Sequence, residues 1–271
     1  MWNIIKSNFF FMSKYKSYYI SGSVFLTILL IQTVLIAAIV NMTAALSTNF
    51  PLDTIIVSSL AISDSALVVM AIIITFNTTE FSSGAIRNKI AAGYSRTKIY
   101  FSKLLTICPV AILLYLVGFG LNIAAASIFI GTDVVNPSYI QNGVLIGSFA
   151  IIFVITFAFF MSTVFKKAGA ALGVTLGISV FLIVVSTVII TLTNVTTASG
   201  QLILDPDSPL VWILRVIPFF SSAETSTSIG AYNVAIGTSI GQVLISTISS
   251  AVWSIGFIGF GWLYFTRTNI K

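Results

Sequence analysis

Between Glu80 and Lys103 the chain carries its densest run of residues able to make specific contacts: Glu80, Gly84, Ile86, Arg87, Asn88, Lys89, Ile90, Gly93, Tyr94, Ser95, Arg96, Lys98 and Lys103. Ser82 or Ser83 can cap the start of a short helix here, and Gly93 can close its end. On that helix Ile86 and Ile90 share one face, with Gly93 beside them and Arg87 and Lys89 at the flanks. Ser95 can then cap a second helix, whose first turns hold Arg96, Lys98 and Lys103. A short amphipathic helix of this kind suits insertion into a groove on a partner protein. The plainer alternative is a helix lying on a membrane surface, its cations among the headgroups.

The chemistry of bond making is not legible elsewhere. The chain has no His and one Cys, Cys108. That excludes His-based metal sites and bases, internal disulfides and Cys-cluster metal centres, so no metal site is expected. No stretch matches the phosphate loop G-x-x-x-x-G-K-[ST], so the chain should not hydrolyse ATP by itself. No G-x-S-x-G nucleophile elbow is present either. Asp64 is the one acid clearly inside an apolar stretch, beside Ser58, Ser59, Ser63 and Ser65. An acid within a membrane span is a functional candidate by default, which makes Asp64 and Ser63 candidates for a substrate pathway. If the span begins later, Asp64 sits near the interface instead.

The elements that must hold these residues are membrane spans. Of 271 residues 57% are hydrophobic and 7% charged, and the mean hydropathy is +1.07. Soluble domains run near 25% charged; this chain has too little polar surface to coat a globule. Six stretches meet the ~20 residues that a helix needs to cross a bilayer: 18–40, 55–76, 104–130, 142–164, 168–193 and 240–265. The first is longer than the ~7–15-residue core of a signal peptide, so a retained span is expected. With both ends inside, the inner segments hold twelve of the thirteen Lys and Arg residues. These are Lys6, Lys14, Lys16, Arg87, Lys89, Arg96, Lys98, Lys103, Lys166, Lys167, Arg267 and Lys271, against Arg215 outside. That asymmetry fixes the expected orientation. It also accounts for the net charge without a nucleic-acid partner, because the cations are spread along membrane edges.

The expected architecture is all-α and integral to the membrane, a single domain over 1–271. Residues 1–17 form an interfacial helix with Trp2, Ile5, Phe9 and Met12 on one face and Asn3, Lys6, Ser7, Ser13 and Lys14 on the other. The loop 77–103 carries the short helix between spans two and three. Phe165-Lys166-Lys167 joins spans four and five as a tight hairpin. The external segment 194–239 contains an apolar run at 210–220, too short to cross, which predicts a re-entrant or surface helix with Pro209 near its start and Pro218 ending or kinking it. Gly169, Gly173 and Gly177 recur at a spacing that lets helices approach closely, either within the chain or against a second subunit.

The 80–103 run strongly resembles the loop of permease subunits of bacterial ATP-binding-cassette exporters, the class that includes lantibiotic-immunity, bacitracin-resistance, toxin-peptide and sodium-export permeases. The pattern there runs Glu, three residues, Gly-Thr-Ile-basic-Asn-Lys, then Gly-x-Ser-Arg, then an aromatic residue and Ser-Lys. Glu80, Gly84, Ile86, Arg87, Asn88, Lys89, Gly93, Ser95, Arg96, Tyr100, Ser102 and Lys103 supply it, and Ala85 departs where Thr is usual. The resemblance implies a cytoplasmic coupling helix that meets the ATPase through Glu80, Gly84, Ile86, Arg87, Asn88, Lys89, Ile90, Gly93, Tyr94, Ser95 and Arg96. It places the N-terminal helix at the same contact. It also implies two separate ATPase subunits that bind ATP and magnesium, a second copy or a related permease, and a bacterial plasma membrane. Amphipathic peptides, antimicrobial or toxin-like, or lipophilic drugs fit the apolar, aromatic-rich composition as cargo. A channel or ion-coupled carrier without ATPase, or a non-transporting scaffold or sensor, are the other readings.

Overall fold

The computed structural model describes residues 2–14, scattered positions between 16 and 34, 62–129, 137–196, 202–204, 209, 213, 216–217 and 240–268. Helix α1 spans Trp2–Lys14, α2 Ile62–Ser82, α3 Ala85–Ala91, α4 Arg96–Phe129, α5 Pro137–Phe165, α6 Ala168–Thr193 and α7 Ile240–Arg267. After α6, β1 (Asn194–Thr196) and β2 (Leu202–Leu204) form an antiparallel ribbon in which Asn194 faces Leu204.

Three described helices are long and apolar enough to cross a membrane, within Arg96–Val117, Ser148–Phe165 and Thr247–Arg267. A fourth passes if Val68–Ser82 is taken together with α3, from which it is bent by 56°. In α6 the qualifying piece, Ala168–Leu182, is shorter. Six spans are therefore not all delineated. The stretch 18–40 lies largely outside the described residues, though its described positions are helical.

One expected boundary moves. The second helix runs on past 76 through Asn77 and Glu80 to Ser82, while the next begins at Arg96, as the Ser95 cap predicts, ahead of its apolar stretch from 104. Hydropathy ends a span at its first polar residues. Here those residues are buried and bonded to neighbouring helices, and the Thr75, Thr78 and Thr79 hydroxyls donate to carbonyls one turn back. The helix therefore has no reason to stop.

Helix α5 is the hub, packing on α2, α4, α6 and α7. Its Ile151, Ile155, Ala158 and Phe159 are buried. Phe153, Phe157 and Phe160 surround Phe257 of α7 at ring separations of 5.9, 5.3 and 5.5 Å. The α5–α6 turn is as short as expected, with Lys166 at φ 53. In lipid, burial of apolar surface does not drive helices together, so close packing and interhelical polar contacts must.

On α1 the stripe buried against the protein is Ile4, Asn8 and Met12, so of the expected apolar face only Met12 is buried by the chain, while Trp2 and Phe9, with Phe10, are exposed. The stripe of i, i+4 and i+8 packs onto the bundle because Asn8 finds polar partners there. The exposed aromatics carry Lys6 over Trp2 and Lys14 over Phe10, each 5.7 Å from the ring. Among the described residues, a Cβ at Gly169, Gly173 or Gly177 of α6 would meet nothing within 4 Å.

Candidate coupling site

The bend between α2 and α3 is made by backbone, not by a serine cap. Gly84, the residue before α3, has φ 73 and offers no side-chain cap. The Ser82 hydroxyl donates instead to the Thr79 carbonyl, and that of Ser83 to the Glu80 carbonyl. The expected serine cap is thus redirected onto α2, because the left-handed turn carries the amides of α3 away from both hydroxyls.

The far end of α3 matches the sequence reading. Gly93 has φ 84; its N–H donates to the Ile90 carbonyl, and that of Tyr94 to the Lys89 carbonyl. These paired bonds form the glycine-terminated helix end that the left-handed conformation makes possible. Ser95 then accepts the Lys98 N–H at 3.4 Å, capping α4.

The charged residues converge on the inner side of this loop. Glu80 is fully buried. Lys103 lies 2.8 Å from one of its oxygens, and Lys89 lies 3.2 Å from the carboxylate. Lys103 also donates to Asn77 Oδ1 at 2.7 Å, and Lys89 to Asn8 Oδ1 at 2.6 Å. Asn77 Nδ2 donates in turn to Ser162 Oγ at 2.7 Å, and Asn8 Nδ2 reaches Thr106 Oγ1 at 3.5 Å. The Lys103 ammonium also stands 5.0 Å from the Phe81 ring. One network therefore joins α1, α2, α3, α4 and α5. Two lysines on one carboxylate leave a surplus positive charge, and the two asparagine carbonyls take up the remaining ammonium protons. A buried charge stripped of its partner is strongly destabilising, so each member holds the others in place.

The loop thus has an inward and an outward face. Ile86 is buried and Ile90 and Tyr94 pack on the core. The isoleucine face, which sequence alone offers to a partner, is turned into this chain instead. The apolar ends of α2 and α4 lie against it, and Lys89 is tied beneath. Arg87 and Asn88 face outward, as do Ala91, Ala92, Gly93 and Ser95. Arg96 is drawn to α7, where its Nη1 donates to the Thr266 and Thr268 carbonyls at 2.9 and 2.8 Å.

Asn8, Asn77, Thr106 and Ser162 are the members that spacing did not single out. Their signal was a lone polar residue on an otherwise apolar helix face. Ser63 and Asp64 stand in the first turn of α2, and their side chains lie outside the described residues.

The family model described as ABC-2 family transporter protein matches residues 14–263. The chain belongs to the ABC-2 transporter family. No curated protein matches it. As an ABC-2 member it is a multi-pass membrane subunit of an ABC transporter, and such a subunit works with an ABC ATPase. Membership gives the bent loop a context: an ABC-2 subunit needs a surface through which work done by the ATPase enters the membrane helices.

Proposed function

We propose that this chain forms the translocation pathway of an ATP-driven exporter and that α3 is its coupling helix. The observation that carries this reading is the division of the 80–103 loop. Its apolar and charged groups fasten it to four other helices, while Arg87 and Asn88 remain outward. A helix held this way passes displacement to its neighbours instead of absorbing it. A pair of ATPase subunits, holding ATP and magnesium, would push α3 as they close. A pair of permeases, two copies or two related chains, would then exchange inward- and outward-open states by differential binding. In this arrangement both termini and α3 are on the cytoplasmic side of a bacterial plasma membrane, and Gly84, Gly93, Tyr94, Ser95 and Arg96 shape the docking surface.

Amphipathic peptides or lipophilic drugs are the proposed cargo. An apolar crevice between α1, α2 and α4, lined by Met12, Val69, Phe76, Ile107 and Leu114, supports it. Asp64 and Ser63, near the start of α2, are proposed to contact cargo at the other end of that helix.

The test is purification of the chain from its native membrane, followed by ATPase assay with and without bacitracin. A stoichiometric ATPase stimulated by bacitracin supports both the exporter and the cargo class. A partner without stimulation keeps the exporter and removes bacitracin-like peptides. No ATPase at all overturns the coupling assignment.

A further inference from the structure

We propose that the candidate span Thr247–Arg267 of α7 acts as a rigid rod that carries displacement of the coupling loop to Val216 near the span's other end, with Arg96 as the positioning residue that grips it. The proposal rests on the assignment of α3 as coupling helix and adds where the push goes.

The grip is directional and lies at one tip of the rod. Arg96, the first residue of α4 after the loop, donates to the Thr266 and Thr268 carbonyls at the end of α7. Helix ends leave such carbonyls without intrahelical partners, and a cation there is favoured by the helix dipole as well. The neighbouring Trp262 indole donates to Thr97 Oγ1 at 3.2 Å. The Tyr100 hydroxyl donates to the Ile258 carbonyl at 3.1 Å. It fits only because residue 261 is Gly; a Cβ there would overlap that hydroxyl.

The opposite end of the candidate span Thr247–Arg267 within α7 is bonded too. Ser249 Oγ and Trp253 Nε1, the latter at 3.1 Å, both donate to the Val216 carbonyl. Val216 belongs to the apolar run after Pro209, whose described positions 209, 213 and 216 are helical. From Ser249 to Thr266 the rod measures about 26 Å at 1.5 Å per residue, close to the ~30 Å thickness of a hydrocarbon core. No proline interrupts Ile240–Arg267, and the cost of unsatisfied backbone groups in lipid keeps the helix whole. Between the tips, Phe257 rests among Phe153, Phe157 and Phe160 of α5. Ring contacts are not directional in the way hydrogen bonds are, so α7 can tilt on them while its tips stay bonded. A push on α3 that shifts Arg96 therefore reappears, with opposite sense, at Val216.

The experiment uses the complex with its co-purifying ATPase, labelled with 5-fluorotryptophan in nanodiscs, and ATP plus vanadate as the trapping probe. Fluorine resonances of Trp253 and Trp262, assigned through Trp→Phe variants, report the two tips. Both are expected to shift on trapping. Compared at equal amounts of trapped nucleotide, Arg96→Gln is expected to abolish the Trp253 shift, and Arg96→Lys to restore it. An equal Trp253 shift in Arg96→Gln, or none in a native complex that hydrolyses ATP, overturns the rod and leaves the coupling assignment standing. Where Arg96→Gln does not assemble, Thr97→Val combined with Tyr100→Phe removes the other inner bonds. That variant must reduce the Trp253 shift, and an undiminished shift refutes the rod. A chain that holds no ATPase removes the coupling assignment and the rod with it.

Discussion

Lys103 and Glu80 meet at 2.8 Å with 2% and 1% of their side chains exposed, from helices on either side of the bent loop. This pair differs from that of Lys89, whose side chain is 14% exposed and which reaches the same carboxylate at 3.2 Å. The buried lysine pins α2 to α4, and the more accessible one ties α3 to α2 and, through Asn8, to α1.

Glu80→Gln is expected to destabilise the protein by about 3–5 kcal/mol, the usual penalty for orphaning a buried ion-pair partner, because it leaves the buried Lys103 without a carboxylate. Adding Lys103→Met to Glu80→Gln should recover much of that loss, since the buried ammonium is then gone and Lys89, 14% exposed, keeps Asn8 as its partner. Thermal unfolding in nanodiscs measures both. Additive losses in the double variant would mean the two groups do not act as a pair.

Arg87→Glu and Ile86→Asp should separate docking from folding. Arg87 is exposed, and surface changes move stability by about 0.5 kcal/mol or less. Its reversal should abolish ATPase co-purification while lowering the melting temperature far less than Ile86→Asp does. Ile86→Asp places a charge at a buried position and should lower both together. Full retention of the ATPase by Arg87→Glu would remove the outward face from the docking surface.

Gly93→Ala should cost about 1–2 kcal/mol, the penalty of the left-handed conformation for an L-residue, because open space surrounds its Cβ position and only the backbone objects. Gly93→Asn should cost less, since Asn tolerates that region better, and Gly93→Val more. Equal effects of all three would point to a side-chain contact instead of φ.

Gly261→Ala should cost about 1–3 kcal/mol, as overpacking does. Tyr100→Phe in the same chain should relieve it, at the cost of the bond to the Ile258 carbonyl. Denaturation of the four variants closes the cycle, and an absence of relief would show that the Tyr100 hydroxyl is not what the added methyl meets.

Much of the local structure was legible in sequence. The helix end at Gly93 follows from the one residue type that enters positive φ freely, whereas the left-handed bend at Gly84 was hidden behind the two serines that offered a cap. The hairpin at Phe165-Lys166-Lys167 follows from two apolar runs with no room for a loop. The Ser95 cap follows from a hydroxyl placed just before a helix. The buried face of α1 did not follow, because Ile4, Asn8 and Met12 compete with an equally apolar set containing Trp2, Phe9 and Phe10. The inward turn of Ile86 did not follow either, since periodicity gives a helix an apolar face without saying what covers it.

The sequence by itself determined that this protein lives in a membrane, that Glu80 to Lys103 is its specialised loop, and where the loop's short helix ends. Those are matters of composition and backbone freedom, properties of residues taken singly or in short windows. Only the tertiary structure decided that Glu80, Lys89 and Lys103 face one another and that Asn77 meets Ser162 across 85 positions of chain. It also decided that Arg96 grips the end of α7. Each is a pairing between distant segments. A mostly apolar helix gives no periodic signal of its orientation, so a polar side chain shows its direction only once a neighbouring helix supplies its partner.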